Sequence, residues 1–220
     1  MRNKKSLLMI CLVLIFSLVL VACGKSEPNE NEAAQNNTAV ENVENNNAQG
    51  EEEAEEVPIS EWEGAWNNMK AYLDAEELVP AFEEVAERDG ISPEEAKAEL
   101  EEKRDCEFDG FVVEGTKVTF LDGFQDDGGQ EIDSANYEFV ETHEVQHGNS
   151  TLEWDVYKAD KEDAKYPVLL MMPVHGEEAL IHFHMRYGDD KDTLLAKEGW
   201  YPTFVKPSTT YEQLAEEVTE

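Results

Sequence analysis

From Phe108 onward the chain is a succession of short segments rich in β-branched and aromatic residues, each closed by turn residues, and this pattern constrains the fold more than any other feature. The segments are FVV at Phe111, TKVTFL at Thr116, YEFV at Tyr137, TLEWDVY at Thr151, PVLLMM at Pro167 and LIHFHMRY at Leu180. Turns at Glu114-Gly115, Asp126 to Gly129, Gly148 to Ser150 and His175 to Glu178 join them. Strands that follow one another so closely pair as antiparallel neighbours, and a row of them removes its exposed edges by closing on itself. The expected core is an antiparallel meander closed into a small barrel.

Upstream the period becomes helical. Ser60 and Glu63 form an S-x-x-E capping signature, and Trp62, Trp66, Met69, Tyr72 and Leu73 recur at helical spacing, which predicts a first helix from Pro58 with its aromatic residues in the core. A second helix is expected over Ala75 to Asp89, with Pro80 in its first turn or breaking it, and a third over Ser92 to Lys103, with Ser92 as N-cap and Pro93 at its first position. A short C-terminal helix is expected over Tyr211 to Val218. The fold class is mainly β with flanking helices (α+β), the first three helices preceding the strands.

The front of the chain speaks to location. MRNKK followed by the apolar run Leu7 to Cys23 has the charged and hydrophobic regions of an export signal, and its end, LVAC, resembles a bacterial lipobox, in which the Cys becomes the lipidated first residue of the mature protein. The expected division is a lipoprotein signal peptide over residues 1–22, an acidic Asn/Glu-rich disordered tether over 23–57, anchored through Cys23, and a folded domain over 58–220. That places the domain on the extracytoplasmic face of the cell membrane. Of three cysteines, Cys11 falls in the signal and Cys23 takes lipid, so Cys106 stands alone and no internal disulfide forms. With 17 Lys+Arg against 51 Asp+Glu, the net charge of −34 argues against a nucleic acid partner.

Two histidine patterns invite a metal. HEVQH, His143 to His147, spells the zincin signature, but that signature works on a helix, where residues four apart share a face. Flanked by YEFVET and GNS it reads as a strand entering a hairpin, where such residues lie roughly 13 Å apart and cannot share one zinc. The alternating face of that strand, Tyr137, Phe139, His143, Val145 and His147, leaves open an approach of His143 to the metal. HGEEALIHFH, His175 to His184, holds three of the five histidines. On a strand His182 and His184 share a face while Phe183 points away, and a turn through Gly176 brings His175 back toward them. Three neutral imidazoles with an open fourth position suit Zn²⁺; the same histidines also fit a surface or hydrogen-bonded structural role.

ISEWEGAWNNMKAYL (Ile59 to Leu73), IHFHMRYGDD (Ile181 to Asp190) and GWYPTF (Gly199 to Phe204) resemble, in order and interval, the landmarks of the ZinT (YodA) family, whose domain also occurs at the C-terminus of AdcA-type zinc-binding lipoproteins. The resemblance runs along residues 58–220. It implies a lipocalin-like (calycin) barrel with flanking helices, Zn²⁺ held by His175, His182 and His184, and scavenging of zinc for an ABC-type importer. Three departures stand out: a shorter interval between His175 and His182, an Asn/Glu tether where some members carry a His-rich stretch, and Tyr201 inserted in the W-P-T motif, a change expected to affect packing more than ligation. The function so implied is a lipid-anchored protein that buffers Zn²⁺, with Cd²⁺ or Ni²⁺ as further cargo, and not an enzyme. The alternatives are a metal-dependent hydrolase using the open three-His zinc site with Glu177 or Glu178 as general base, and a carrier of a small apolar ligand inside the barrel.

Overall fold

The computed structural model describes residues 56–219, apart from 149, 177–179 and the side chain of His147. The expected signal peptide with Cys23, nearly all of the expected tether, and Glu177 and Glu178 therefore lie outside the described residues. No helix among the described residues is long and apolar enough to cross a membrane.

Eight antiparallel strands close in a ring: β1 (Gly64–Asn68), β2 (Gly110–Glu114), β3 (Lys117–Leu121), β4 (Glu131–His147), β5 (Ser150–Ala159), β6 (Val168–Met171), β7 (His182–Gly188) and β8 (Thr203–Val205). Each pairs with its neighbour in sequence, and β8 returns to β1 through Asn67 opposite Val205. Among the described residues four α-helices accompany them: α1 (Val79–Asp89), α2 (Pro93–Lys103), α3 (Lys191–Leu195) and α4 (Tyr211–Thr219).

The predicted first helix is absent. Ile59–Trp62 form one 3-10 turn, after which the chain becomes β1, so a strand precedes the helices rather than following them. Gly64 at φ 97° takes the backbone out of the helical region, and the Glu63 carboxylate accepts from the Gly115 N–H at 3.0 Å instead of returning to Ser60. The four-residue interval between the tryptophans is met differently: Trp66 donates its indole N–H to the Trp62 carbonyl at 2.7 Å, and both rings are buried. A capping box forms instead at the third of the expected helices. Ser92 and Glu95 exchange side-chain and backbone hydrogen bonds at the start of α2, with Pro93 between them at the first helical position. Pro80 sits in the first turn of α1, and α4 lies where a C-terminal helix was expected.

Alternation sorts the side chains of the ring. Phe111, Phe120, Tyr137, Tyr157, Phe183 and Phe204 point inward and, with Trp62, Trp66 and Phe108, fill the interior with aromatic rings. Phe183 meets Trp66 edge-on at 4.7 Å between centroids. Outside, α1, α2 and α4 cover one flank through Phe82, Ala96, Leu214 and Val218, packed with Leu78 and Val205. Trp154, Val156, Leu170 and Leu194 form a further outer cluster.

A bulge reverses one expectation. Between Phe139 and Glu141 the β4–β5 register slips, so Phe139 pairs with inward-facing Tyr157, whereas His143 pairs with Trp154 of the outer cluster. The face drawn through Tyr137, Phe139 and His143 is thus not one face, because the extra residue at Val140 changes the parity of everything after it.

Candidate metal centre

His182 and His184 project from the outer side of β7, opposite the inward Phe183. His175 lies directly across from His182, each backbone N–H donating to the other's carbonyl at 2.9 Å. Gly176 makes that hairpin possible. Its φ is 82°, and a Cβ there would stand 1.7 Å from the Leu180 carbonyl oxygen, so no other residue lets the two segments approach as they do. The three rings converge, with centroids 4.2 Å apart for His175–His182, 5.4 Å for His175–His184 and 5.5 Å for His182–His184. One nitrogen of each lies within 4.8 Å of the other two.

Hydrogen bonds determine which nitrogen faces the centre. His175 Nδ1 meets the Pro173 carbonyl at 2.9 Å and His182 Nδ1 the Leu180 carbonyl at 3.1 Å; a carbonyl only accepts, so both rings carry their proton on Nδ1. His184 Nδ1 meets the Thr203 hydroxyl at 3.0 Å, and that hydroxyl spends its own proton on the Tyr201 carbonyl at 2.9 Å, so here too Nδ1–H is the donor. All three Nε2 lone pairs are left for a cation, the arrangement by which outer partners orient metal-binding imidazoles. Burial reinforces it. Desolvation, then the nearby Arg104 cation, pushes the His184 pKa down to about 2, and desolvation lowers that of His182 against the opposing pull of Glu217. Both rings therefore stay neutral, the form that binds metal.

Two charged side chains from the helical flank lean on the group. Arg104, just past α2, donates from Nη2 to Glu217 Oε1 of α4 at 3.0 Å and from Nη1 to the Tyr201 carbonyl at 3.1 Å. Its Nη1 also stands 3.4 Å from His184 Nδ1, where donor faces donor, and its Nε is buried without a partner. Glu217 Oε2 lies 3.7 Å from His182 Nε2. Beside the histidines a cavity of about 390 Å³ is lined by Arg104, Leu152, Met172, His175, His184 and Tyr201, giving access to the centre. A larger open groove of about 1060 Å³, running past Lys70, Glu101 and Trp200, includes none of the histidines, and the chemistry belongs to the smaller cavity.

The structure thus gathers His175, His182 and His184, the three residues expected from the sequence. His143 is not in the group: it shares the outer face, but β5 and β6 separate its strand from β7, about 14 Å at roughly 4.8 Å per strand. HEVQH lies on a strand throughout, so the zincin geometry does not arise. Sequence reasoning missed Thr203, Arg104 and Glu217. Tyr201 has more than the packing role expected of it, since its carbonyl receives both Arg104 and Thr203 while its ring stacks over Arg186 at 4.8 Å.

The family model of ZinT (YodA), periplasmic lipocalin-like zinc-recruitment, matches residues 40–220. The chain belongs to the ZinT family. This ZinT chain is 24% identical over 163 residues to the probable metal-binding protein YrpE of Bacillus subtilis (strain 168), a match covering 73% of this chain and 63% of that relative's length. Its fold is similar to the Zn(II)-bound ZinT-like domain of Streptococcus pneumoniae AdcA, with a TM-score of 0.60 at 16% identity over 76% of this chain and 93% of that one. Zn(II)-bound AdcA from the same organism matches with a TM-score of 0.61 at 17% identity, covering 76% of this chain and 36% of that one. The eight-strand ring with its few helices is thus the ZinT lipocalin-like fold, and zinc is the ion that the family and the three-imidazole group support.

Proposed function

We propose that this ZinT domain captures Zn²⁺ through Nε2 of His175, His182 and His184 and releases it to an ABC-type zinc importer or its solute-binding protein. The observation that carries the reading is the convergence of three imidazoles within 4.8 Å with every Nδ1 engaged elsewhere. Likeness to AdcA, Zn(II)-bound in its own structures, supports the choice of ion. Cd²⁺ and Ni²⁺ suit the same imidazole set and would be secondary cargo. The chain acts as a binding protein rather than an enzyme, held on the extracytoplasmic face of the membrane by lipid on Cys23, a placement supported by the LVAC ending of its apolar N-terminal run.

Zinc titration of the untagged protein against a chromophoric chelator tests the reading. One equivalent should bind, and His182→Ala or His184→Ala should weaken binding by orders of magnitude while the circular dichroism spectrum is retained, because Phe183 and the ring interior are untouched. A His182→Ala titration superimposable on wild type would assign the rings a structural role.

A further inference from the structure

His182 Nε2 and Glu217 Oε2 face each other at 3.7 Å. With the His182 proton on Nδ1, given to Leu180, both atoms are acceptors. Nothing of either side chain supplies a hydrogen between them, and a cation is what would satisfy both. In tetrahedral zinc with bonds of about 2.0–2.2 Å, neighbouring ligand atoms stand about 3.3–3.5 Å apart, close to the spacing already present on this edge. The other Glu217 oxygen is tied to Arg104 at 3.0 Å, and this pair is largely buried, the Glu217 side chain being 9% exposed. A buried carboxylate needs a cation, and here one partner is a guanidinium that leaves its own Nε unpaired and directs Nη1 at a ring N–H. Arg104 is an imperfect partner. A zinc ion among three neutral imidazoles adds two positive charges beside Arg104, and Glu217 is the carboxylate in contact with both His182 and Arg104.

We propose that Glu217 is the fourth zinc ligand, turning from Arg104 onto the metal when zinc binds, so that α4 closes the site. The proposal rests on the three-histidine reading and goes beyond it by assigning the fourth position to this chain rather than to solvent. Glu217 is not within 4.8 Å of all three ring nitrogens, so ligation requires its side chain to rotate inward. Arg104 keeps its bond to the Tyr201 carbonyl when that happens.

The test uses the full chain and its Glu217→Gln, Glu217→Asp, Arg104→Gln and Arg104→Gln/Glu217→Gln variants, with zinc affinity measured by competition and coordination read from the visible spectrum of the Co²⁺-loaded protein. Glu217→Gln should still bind one equivalent, but at least about 10-fold more weakly and with an altered Co²⁺ spectrum. Arg104→Gln should bind more tightly than wild type, because the ion pair no longer competes for the carboxylate. The double variant should be as weak as Glu217→Gln. Were Glu217→Gln not to fold, Glu217→Asp, which keeps the charge on an arm one methylene shorter, should show the same loss. Affinity within twofold of wild type and an unchanged Co²⁺ spectrum in Glu217→Gln would overturn the proposal, as would recovery of wild-type affinity in the double variant, which would mean that Glu217 merely neutralises Arg104. Failure of the three-histidine reading looks different: His182→Ala would then bind zinc normally.

Discussion

Thr203→Val tests the claim that hydrogen bonding, and not proximity alone, prepares the centre. The Thr203 side chain is fully buried, and its hydroxyl accepts from His184 Nδ1–H while donating to the Tyr201 carbonyl. Valine has nearly the same shape and no hydroxyl. The Tyr201 carbonyl keeps a donor in Arg104, so the group left unsatisfied is the buried His184 Nδ1–H, at a cost of about 1–3 kcal/mol. The ring has an escape. Moving its proton to Nε2 leaves Nδ1 free to accept from Arg104 Nη1, which already stands at 3.4 Å. That tautomer presents an N–H to the metal position, so zinc binding must reverse it, and about 1.4–2.8 kcal/mol corresponds to about 10- to 100-fold in affinity. Thr203→Val should therefore fold, bind one zinc about 10- to 100-fold more weakly than wild type, and show the proton of His184 on Nε2 in ¹⁵N-detected imidazole spectra of the metal-free protein. An affinity within twofold of wild type would refute the tautomer reasoning. So would loss of all stoichiometric binding, since that is the outcome of removing the ligand rather than of misdirecting it.

Two further predictions follow from burial and from the N-terminus. Below the ordinary imidazole pKa of about 6.5 the unfolded chain takes up a proton that folded His184 refuses until about pH 2, so stability falls as pH drops through that window, by up to about 1.4 kcal/mol per unit. Between pH 6.5 and 5, urea melts in chelator should show wild type losing about 1.7 kcal/mol more than His184→Gln, and equal losses would mean that the ring is solvated in solution. Cys23→Ser should release the protein from the membrane fraction or leave an unprocessed precursor, motivated by the LVAC sequence; normal signal removal with unchanged membrane retention would count against the lipid anchor.

The three-histidine group was legible because the chemistry and the strand period coincide over one short segment. His182, Phe183 and His184 alternate out, in, out, and no distant residue is needed to read that. The hairpin that returns His175 was legible from Gly176. What failed was whatever depends on a partner far away in sequence. The Trp62–Trp66 interval fits a helix, and only the pairing of Trp66 with Phe111 and of Asn67 with Val205 makes the second half of that segment a strand. The bulge at Val140 has no turn residue to announce it, yet it decides on which side of the sheet His143 lies. Short β8 escaped notice as a strand because Thr203–Val205 gives too few residues for a period. Glu217 and Arg104 are two charges among many in a strongly acidic chain, and their meeting across 113 residues cannot be read locally.

A closed ring of eight strands has room for its own side chains or for one small ligand, and here the choice is made by aromatic residues. Phe111, Phe120, Tyr137, Tyr157, Phe183 and Phe204 occupy the interior, joined by Trp62, Trp66 and Phe108. That packing argues against an apolar cargo inside the ring and leaves the outer face of β7 as the place for a site. The outer face has what the interior lacks: the Thr203 hydroxyl of β8, the Pro173 and Leu180 carbonyls beside the hairpin, and the Arg104–Glu217 pair brought in by the helical flank. One strand thus serves both purposes, its odd residues holding the core and its even residues holding the imidazoles. Changes to the histidines are therefore separable from changes to the fold, which is why metal affinity can be probed here without taking the ring apart.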